Sequence, residues 1–317
     1  MRDVPPNIVV LSGSANPMLA MALARELGLS LGQCAIKRFP DGEKHVEVDP
    51  REVEGRDVVF VQPTPNGASE AAFELLLAAD ACRSGGASSV AAVVPYFGYA
   101  RQDRRKHDGE ALGARVAAKA LGAARLDLVV TVDVHGETAE ASLDVPTEQV
   151  SAAPVLAAAL EREIARDSVV VAPDLGAARL AREYARILRL PFAVVQKLRT
   201  SATDVIVEHV AGDVRGLRPV IVDDIIATGG TIVAATRALR AEGCVDEMTV
   251  AATHGVFAPG AFERLHDARI RRFFVTDTIA TSAPAESVAV VSIAPLLATC
   301  VRRFSKRRLG VQYRSHP

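Results

Sequence analysis

Short apolar runs rich in Val and Ile recur along this chain, and nearly every one is followed by a segment with helical spacing. That alternation confines the chain to an α/β architecture, because a strand that is apolar at every position needs cover on both faces of its sheet. Strands are expected at 8–12, 58–62, 90–95 and 128–132, and helices at 18–27, 68–84 and 111–121. Gly28 and Gly122 follow helical segments, where a glycine stop fits. The rhythm restarts with a helix at 152–165, a strand at 169–172 and a helix at 176–188. Strands at 192–196, 205–210 and 220–222, a helix at 232–242, and strands at 248–252, 272–276 and 288–292 complete it. Two similar halves joined near 145–150 are the simplest account, each a mostly parallel sheet flanked by helices.

A chain of 317 residues suits two domains of ordinary size. A net charge of −1 gives no overall attraction to nucleic acid or to an acidic membrane. Trp is absent and aromatics are 4% of the chain, which argues against a stacking binder of single strands. Cys34, Cys82, Cys244 and Cys300 are far apart, with no CxxC pair, so free thiols in a reducing compartment are expected, not disulfides or a zinc site. No stretch is long and apolar enough to span a membrane, and no signal peptide is apparent, so a cytoplasmic protein is expected.

The richest stretch is Val220-Ile221-Val222-Asp223-Asp224-Ile225-Ile226-Ala227-Thr228-Gly229-Gly230-Thr231. An apolar run reads as a buried parallel strand, and two carboxylates stand at its carboxyl end, where open α/β sheets bind ligands. The glycines let the backbone come close to an anion, Thr228 and Thr231 add hydroxyls, and the next helix offers free N–H groups. Together these suit a phosphorylated polyol, with phosphate in the loop and vicinal hydroxyls on the acids. No Lys follows the glycines, so this is not a Walker A loop. An ordinary strand–turn–helix with solvated acids is the plainer account. The order of strand, acid pair, loop and helix weighs against it.

Other strand ends carry chemistry too. Lys37-Arg38-Phe39-Pro40-Asp41-Gly42-Glu43 contains a turn signal that gains meaning only from its companions. Residues 95–105 hold three aromatic rings and three arginines, suited to a phosphate and a purine face. His135 follows Asp133 at another strand end and suits a metal, a base or a phosphate donor. Asp174, after the first strand of the second half, suits a hard cation such as magnesium. Lys197 and Arg199 enter a Thr- and Ser-rich loop at 197–204, where two cations suit a transferring phosphoryl group. The basic cluster at 302–308 reads as a solvated tail or a helix end.

The 220–231 stretch resembles the phosphoribosyl-diphosphate loop of phosphoribosyltransferases. With the segment Pro-Tyr-Phe-Gly-Tyr-Ala-Arg-Gln-Asp-Arg-Arg at 95–105, the whole chain from Gly13 to about Phe304 resembles the ribose-phosphate diphosphokinase family. Thr253-His254-Gly255-Val256-Phe257 and Val291-Ser292-Ile293-Ala294-Pro295-Leu296-Leu297 are similar to it as well. The resemblance implies an enzyme with two phosphoribosyltransferase-like domains and the active site between them. It implies an N-terminal domain at 1–149 on the ATP side, a C-terminal domain at 150–305 on the ribose 5-phosphate side, and a tail at 306–317. It implies that Asp41, Gly42, Glu43, Arg101 and Gln102 bind ATP, and that His135 and Asp174 hold Mg2+. Lys197 and Arg199 match the cations that stabilise the transferred group. Arg199, Asp223, Asp224, Ala227, Thr228, Gly229, Gly230 and Thr231 match the ribose 5-phosphate site.

Three positions depart from the family pattern. Many members carry an acid where this chain has Ala227, the usual Lys-Arg-Arg is Lys197-Leu198-Arg199, and a common Arg-Gly is Glu54-Gly55. The last of these leaves phosphate activation and nucleotide inhibition open, whereas backbone N–H groups still serve at Ala227 and Lys197-Leu198-Arg199 keeps the outer two cations. The expected reaction joins ATP and ribose 5-phosphate to give AMP and 5-phosphoribosyl 1-diphosphate, in a homo-oligomer with small-molecule partners only. The alternatives are a non-catalytic regulatory homologue and a phosphoribosyltransferase that consumes the diphosphate.

Overall fold

The computed structural model describes residues 7–65, 67–136, 141–199, 206–281 and 286–314, with the backbone alone for 197–199, 206–208 and 307–314. The chain divides into two units, one of Met1–Val150, Thr278–Ala280 and Ser292–Pro317, the other of Ser151–Asp277 and Thr281–Val291. No helix among the described residues is long and apolar enough to cross a membrane.

The first unit runs β1 (Ile8–Ser12), α1 (Pro17–Leu27), β2 (Cys34–Arg38), β3 (Lys44–Val48), α2 (Pro50–Val53), β4 (Asp57–Val61), α3 (Ala68–Ser84), β5 (Ser89–Val93), α4 (Gly113–Gly122), β6 (Leu128–Val132) and β7 (Thr147–Val150). Strands β1, β4, β5, β6 and β7 form one parallel sheet in that order. Every residue of β4, β5 and β6 is buried, as an unbroken apolar run in a covered sheet requires. The segment expected to join the halves instead ends in β7, a strand paired to β6. Its Thr-Glu-Gln-Val sequence is too polar to announce a strand, which an edge position tolerates.

The Asp-Gly turn belongs to a β2–β3 hairpin with its own two-stranded sheet, in register from Cys34↔Val48 to Arg38↔Lys44. Gly28 ends α1 as expected, at φ 73°, its N–H bonded to the carbonyls of Ala24 and Arg25. Gly122 does not stop α4: it is the last helical residue, and Ala123 is the cap.

The second unit runs α5 (Ala153–Leu160), β8 (Ser168–Ala172), α6 (Ala178–Leu188), β9 (Phe192–Arg199), β10 (Ile206–Ala211), β11 (Arg218–Ile226), α7 (Gly230–Ala241), β12 (Met248–Gly255), α8 (Ala261–Asp267), β13 (Ile270–Thr276) and β14 (Val288–Val291). Its seven strands are ordered β10-β9-β8-β11-β12-β13-β14, parallel except for β10 against β9. From β8 the chain winds one way to β9 and β10. From β11 it winds the other way. The reversal makes the carboxyl ends of β8 and β11 the topological switch point, where open α/β sheets bind ligands.

The last helix, α9 (Ala294–Arg314), belongs with the first unit and packs on α1. The basic cluster at 302–308 is therefore part of a helix: Arg302 donates to the carbonyl of Glu26 at the end of α1, and Arg303 pairs with Glu148 of β7. Residues 315–317 of the expected tail lie outside the described residues.

Candidate active site

Asp223 and Asp224 stand in β11 itself, which runs to Ile226. The expected strand stopped short of them. The sheet explains the difference: β11 pairs with β8 only as far as Ile221, but with β12 as far as Ile226↔Gly255. The two acids therefore lie on the part of β11 that outruns β8, flanked by a strand on one side only. Asp174 follows the end of β8, and its Oδ1 accepts from the N–H of Ala177 (3.2 Å), turning the chain into α6. The N–H of Asp224 donates to Asp223 Oδ1 (2.9 Å). Burial first, and then the carboxylates of Asp224 and Asp174, push the Asp223 carboxyl well above the usual carboxylate range. Oxygen donors crowded this way fit a hard cation or the hydroxyls of a polyol.

The loop after β11 is fixed by its neighbours. The N–H groups of Val256 and Phe257 donate to the carbonyl of Ile226, and that of Ala258 to Ala227. Arg264 Nη1 donates to the carbonyl of Thr228 (2.5 Å). Gly229 sits at φ 77° as the N-cap of α7, and no side chain caps that helix. A Cβ on Gly229 would meet Leu265 Cδ2 at 2.8 Å, whereas one on Gly230 would meet nothing nearer than Thr228 Oγ1 at 3.7 Å. An uncapped helix N-terminus behind an open glycine can receive an anion.

Lys197 and Arg199 belong to β9, opposite Glu208 and Ile206 of β10, not to a loop as expected. Their side chains and residues 200–205 lie outside the described residues.

In the first unit, two segments expected from sequence come together at the ends of β5 and β6. Gly136, at φ 78°, lies against Asp103: a Cβ there would be 2.7 Å from Asp103 Oδ2. Arg101 and Gln102 precede Asp103 and are exposed, as is His135. The Gln102 N–H donates to the carbonyl of Tyr99 (2.8 Å), and its own carbonyl accepts from Ala114 (3.2 Å). The three aromatic residues differ in exposure: Tyr99 is exposed and Tyr96 half-buried. Phe97 is in the core, and the Tyr99 hydroxyl is 2.5 Å from Ser69 Oγ. Asp41, Gly42 and Glu43 form the tip of the β2–β3 hairpin, the two acids exposed and Gly42 half-buried at φ 98°, with the Phe39 N–H donating to the carbonyl of Glu43 (2.8 Å).

Among the described residues no group of three or more His, Cys, Asp or Glu forms a metal-ligating cluster. The carboxylates of Asp174, Asp223 and Asp224 are near enough for their charges to act on Asp223, and each is a hard oxygen donor. Burial raises the thiols, Cys34 and Cys300 to about 11 and Cys82 to about 12.

Sequence reasoning missed Asp103, Arg264 and a buried group around Glu74. Glu74 was legible: on α3 it shares a face with Ala71, Leu75 and Ala78, so a carboxylate interrupts a buried apolar stripe. Arg264 carries no comparable signal.

Residues 8–124 match the family described as the N-terminal domain of ribose phosphate pyrophosphokinase, and residues 147–283 match the phosphoribosyl transferase domain. A ribose-phosphate pyrophosphokinase of Gloeobacter violaceus is 38% identical over 295 residues, covering 92% of this chain and 88% of its own length. One from Xanthomonas axonopodis is 38% identical over 305 residues, covering 94% and 95%. The crystal structure of phosphoribosylpyrophosphate synthetase from Mycobacterium smegmatis superposes with a TM-score of 0.86 at 33% identity, over 95% of this chain and 99% of that one.

Proposed function

The chain belongs to the ribose-phosphate pyrophosphokinase family, and we propose that it transfers the diphosphoryl group of MgATP to the 1-hydroxyl of ribose 5-phosphate, giving 5-phosphoribosyl 1-diphosphate and AMP. The observation that carries this reading is the second unit's switch point, with three acids at the ends of β8 and β11 and an uncapped glycine turn opening α7.

The sugar 5-phosphate takes the N-terminus of α7, with Ala227, Thr228, Gly229, Gly230 and Thr231 around it. Asp223 and Asp224 accept the 2- and 3-hydroxyls. Hydroxyl donors or a cation offset the burial and the neighbouring charges of Asp224 and Asp174 that together raise the Asp223 carboxyl. ATP takes the first unit, through Asp41, Gly42 and Glu43 at the hairpin tip and Arg101 and Gln102 after β5. The ATP side falls in the first unit and the ribose 5-phosphate side in the second; α9 (Ala294–Arg314), which the expected boundary at 305 would cut, packs with the first unit.

The anomeric hydroxyl attacks the β-phosphorus, losing its proton to solvent, and a new O–P bond forms as the bond to the α–β bridging oxygen breaks. AMP leaves with that oxygen. Catalysis of this kind is mostly positioning and charge neutralisation, and we assign no protein base. Lys197 and Arg199 neutralise the charge on the transferred group. His135 and Asp174 would hold Mg2+, which when bound neutralises polyphosphate charge. A cytoplasmic homo-oligomer acting on small molecules completes the reading.

The test is AMP formation from MgATP by the purified chain with and without ribose 5-phosphate. Ribose-dependent AMP release, with a diphosphorylated sugar as the other product, is expected. No release despite binding of both ligands overturns the reading in favour of a non-catalytic homologue.

A further inference from the structure

The hairpin that carries Asp41, Gly42 and Glu43 projects from its own two-stranded sheet, so something must fix the direction of its tip. The last register pair before the tip is Arg38↔Lys44, two cations side by side. Each grips a glutamate of α3. Arg38 Nη2 is 2.6 Å from Glu70 Oε2, and Lys44 Nζ pairs with Glu74 Oε2. Glu70 and Glu74 are one helical turn apart on the same face of α3. Arg38 also donates from Nη1 to the carbonyl of Gly42 (2.8 Å), so its guanidinium ties the tip and the helix together.

The two grips differ in depth. Arg38 and Glu70 are exposed, and such a pair is worth little by itself. Glu74 is 0% exposed. Besides Lys44, its oxygens accept from the Ser14 N–H (2.7 Å), the Ser14 hydroxyl (2.6 Å) and Gln62 Nε2 (2.7 Å). Gln62 in turn accepts from the Ala15 N–H (3.1 Å). Glu74 therefore fastens the start of β3 to the β1–α1 turn and to the end of β4. A buried pair satisfied this fully is a rigid point, and removing one partner leaves a charge that the site cannot solvate.

We propose that Lys44 and Glu74, with Arg38 and Glu70 as the outer pair, are positioning residues that aim the 39–43 loop at the nucleotide. The proposal rests on the reading of that loop as the ATP contact. Their effect falls on ATP binding and leaves the sugar site untouched.

The test compares steady-state kinetics of the wild type, Arg38→Glu, the swap Arg38→Glu with Glu70→Arg, and Lys44→Met, with a melting curve for each. Arg38→Glu is expected to raise KM for ATP about tenfold, the loss of about 1.4 kcal/mol of positioning, while KM for ribose 5-phosphate and kcat stay within about twofold. The swap restores the KM for ATP, which a direct repulsion between the introduced carboxylate and a phosphate would not allow. Lys44→Met raises the same KM and also lowers the melting temperature. Unchanged KM for ATP in folded Arg38→Glu and Lys44→Met, or no recovery in the swap, overturns the proposal while the activity stands. If the wild type releases no AMP, the functional reading fails, and calorimetric titration with ATP decides the brace. Weaker ATP binding by Arg38→Glu supports it, and equal binding, or none by the wild type, overturns it.

Discussion

The two glycines that open α7 are expected to fail in opposite ways when each is given a methyl group. At Gly229 the backbone sits at φ 77°, and an L-residue there costs about 1–2 kcal/mol. Its Cβ would lie 2.8 Å from both Cδ2 and Cγ of Leu265, which is 1% exposed. Overpacking a buried contact of that kind costs about 1–3 kcal/mol more. Gly229→Ala is therefore expected to lose about 2–5 kcal/mol, a fall in melting temperature of roughly 5–15 °C. At Gly230 the φ is ordinary and the nearest atom to a new Cβ is Thr228 Oγ1, at 3.7 Å. Gly230→Ala is expected to be neutral or stabilising by about 0.4–1 kcal/mol, because it restricts the unfolded chain. Its cost appears in binding, since the methyl stands where a phosphate must approach the N–H groups of α7. KM for ribose 5-phosphate is expected to rise about tenfold or more, the equivalent of one displaced charge-assisted hydrogen bond. Differential scanning calorimetry and initial-rate kinetics on the two variants decide the matter. A Gly230→Ala protein with wild-type affinity for ribose 5-phosphate would refute the anion reading of the loop. A Gly229→Ala protein as stable as the wild type would refute the packing argument.

Three further outcomes follow from the same geometry. The Asp223 carboxyl holds its proton above the usual range, so the folded state binds more protons than the unfolded one and stability falls as pH rises from about 4 through the folded value. Asp223→Asn should thus be more stable than the ligand-free wild type at neutral pH, with the gap closing towards pH 4 in denaturant titrations, and identical pH slopes would refute this. Gly136→Ala forces a left-handed φ on an L-residue and displaces Asp103; a loss of about 1–2 kcal/mol is expected, with KM for ATP raised more than KM for ribose 5-phosphate. Turnover should fall by at least about a hundredfold in Lys197→Ala with Arg199→Ala, and an unchanged kcat would remove those cations from the mechanism.

The alternation of runs was legible because a strand buried on both faces must be apolar throughout. β4, β5, β6 and β8 are such strands, and their sequences could encode little else. β7 and the β2–β3 hairpin were not legible for the opposite physical reason. An edge strand and a two-stranded ribbon each have an exposed face, so Glu148, Lys37 and His45 are tolerated and blur the period. The length of β11 was hidden in the same way. Strand sequence ordinarily ends where charge begins, but Asp223 and Asp224 lie where β8 has already stopped pairing. Placement at the switch point was inferable only as a rule about strand ends, because strand order depends on which crossover passes which face. Arg264 was beyond reach, since nothing in an exposed arginine of α8 announces a bond to a loop 36 residues earlier.

Two small-residue turns that open helices, the one after the edge strand β1 and the one after the interior strand β11, have opposite fates. In the first unit the turn after β1 carries Gly13, Ser14, Ala15 and Asn16. Asn16 caps α1 through Oδ1, the Ser14 N–H and hydroxyl go to the buried carboxylate of Glu74, and the Ala15 N–H goes to Gln62. A Cβ on Gly13 would strike Gln62 Oε1 at 2.2 Å, so its glycine serves that internal contact. A resident carboxylate thus takes donors that an anionic ligand would need. In the second unit the turn after β11 has Gly229 at the cap, no side chain capping α7, and open space over Gly230. The difference lies in what covers the turn: α3 brings an acid into the first, whereas α8 brings Leu265 beneath Gly229 and Arg264 onto the carbonyl of Thr228, fixing the second turn from behind. A helix N-terminus already neutralised from inside becomes a joint, and one left uncapped can hold a phosphate. An open glycine cap by itself does not single out a phosphate site, since Gly67 opens α3 in the first unit at φ 76° with no side-chain cap; what distinguishes the turn after β11 is its place beside Asp223 and Asp224 at the switch point.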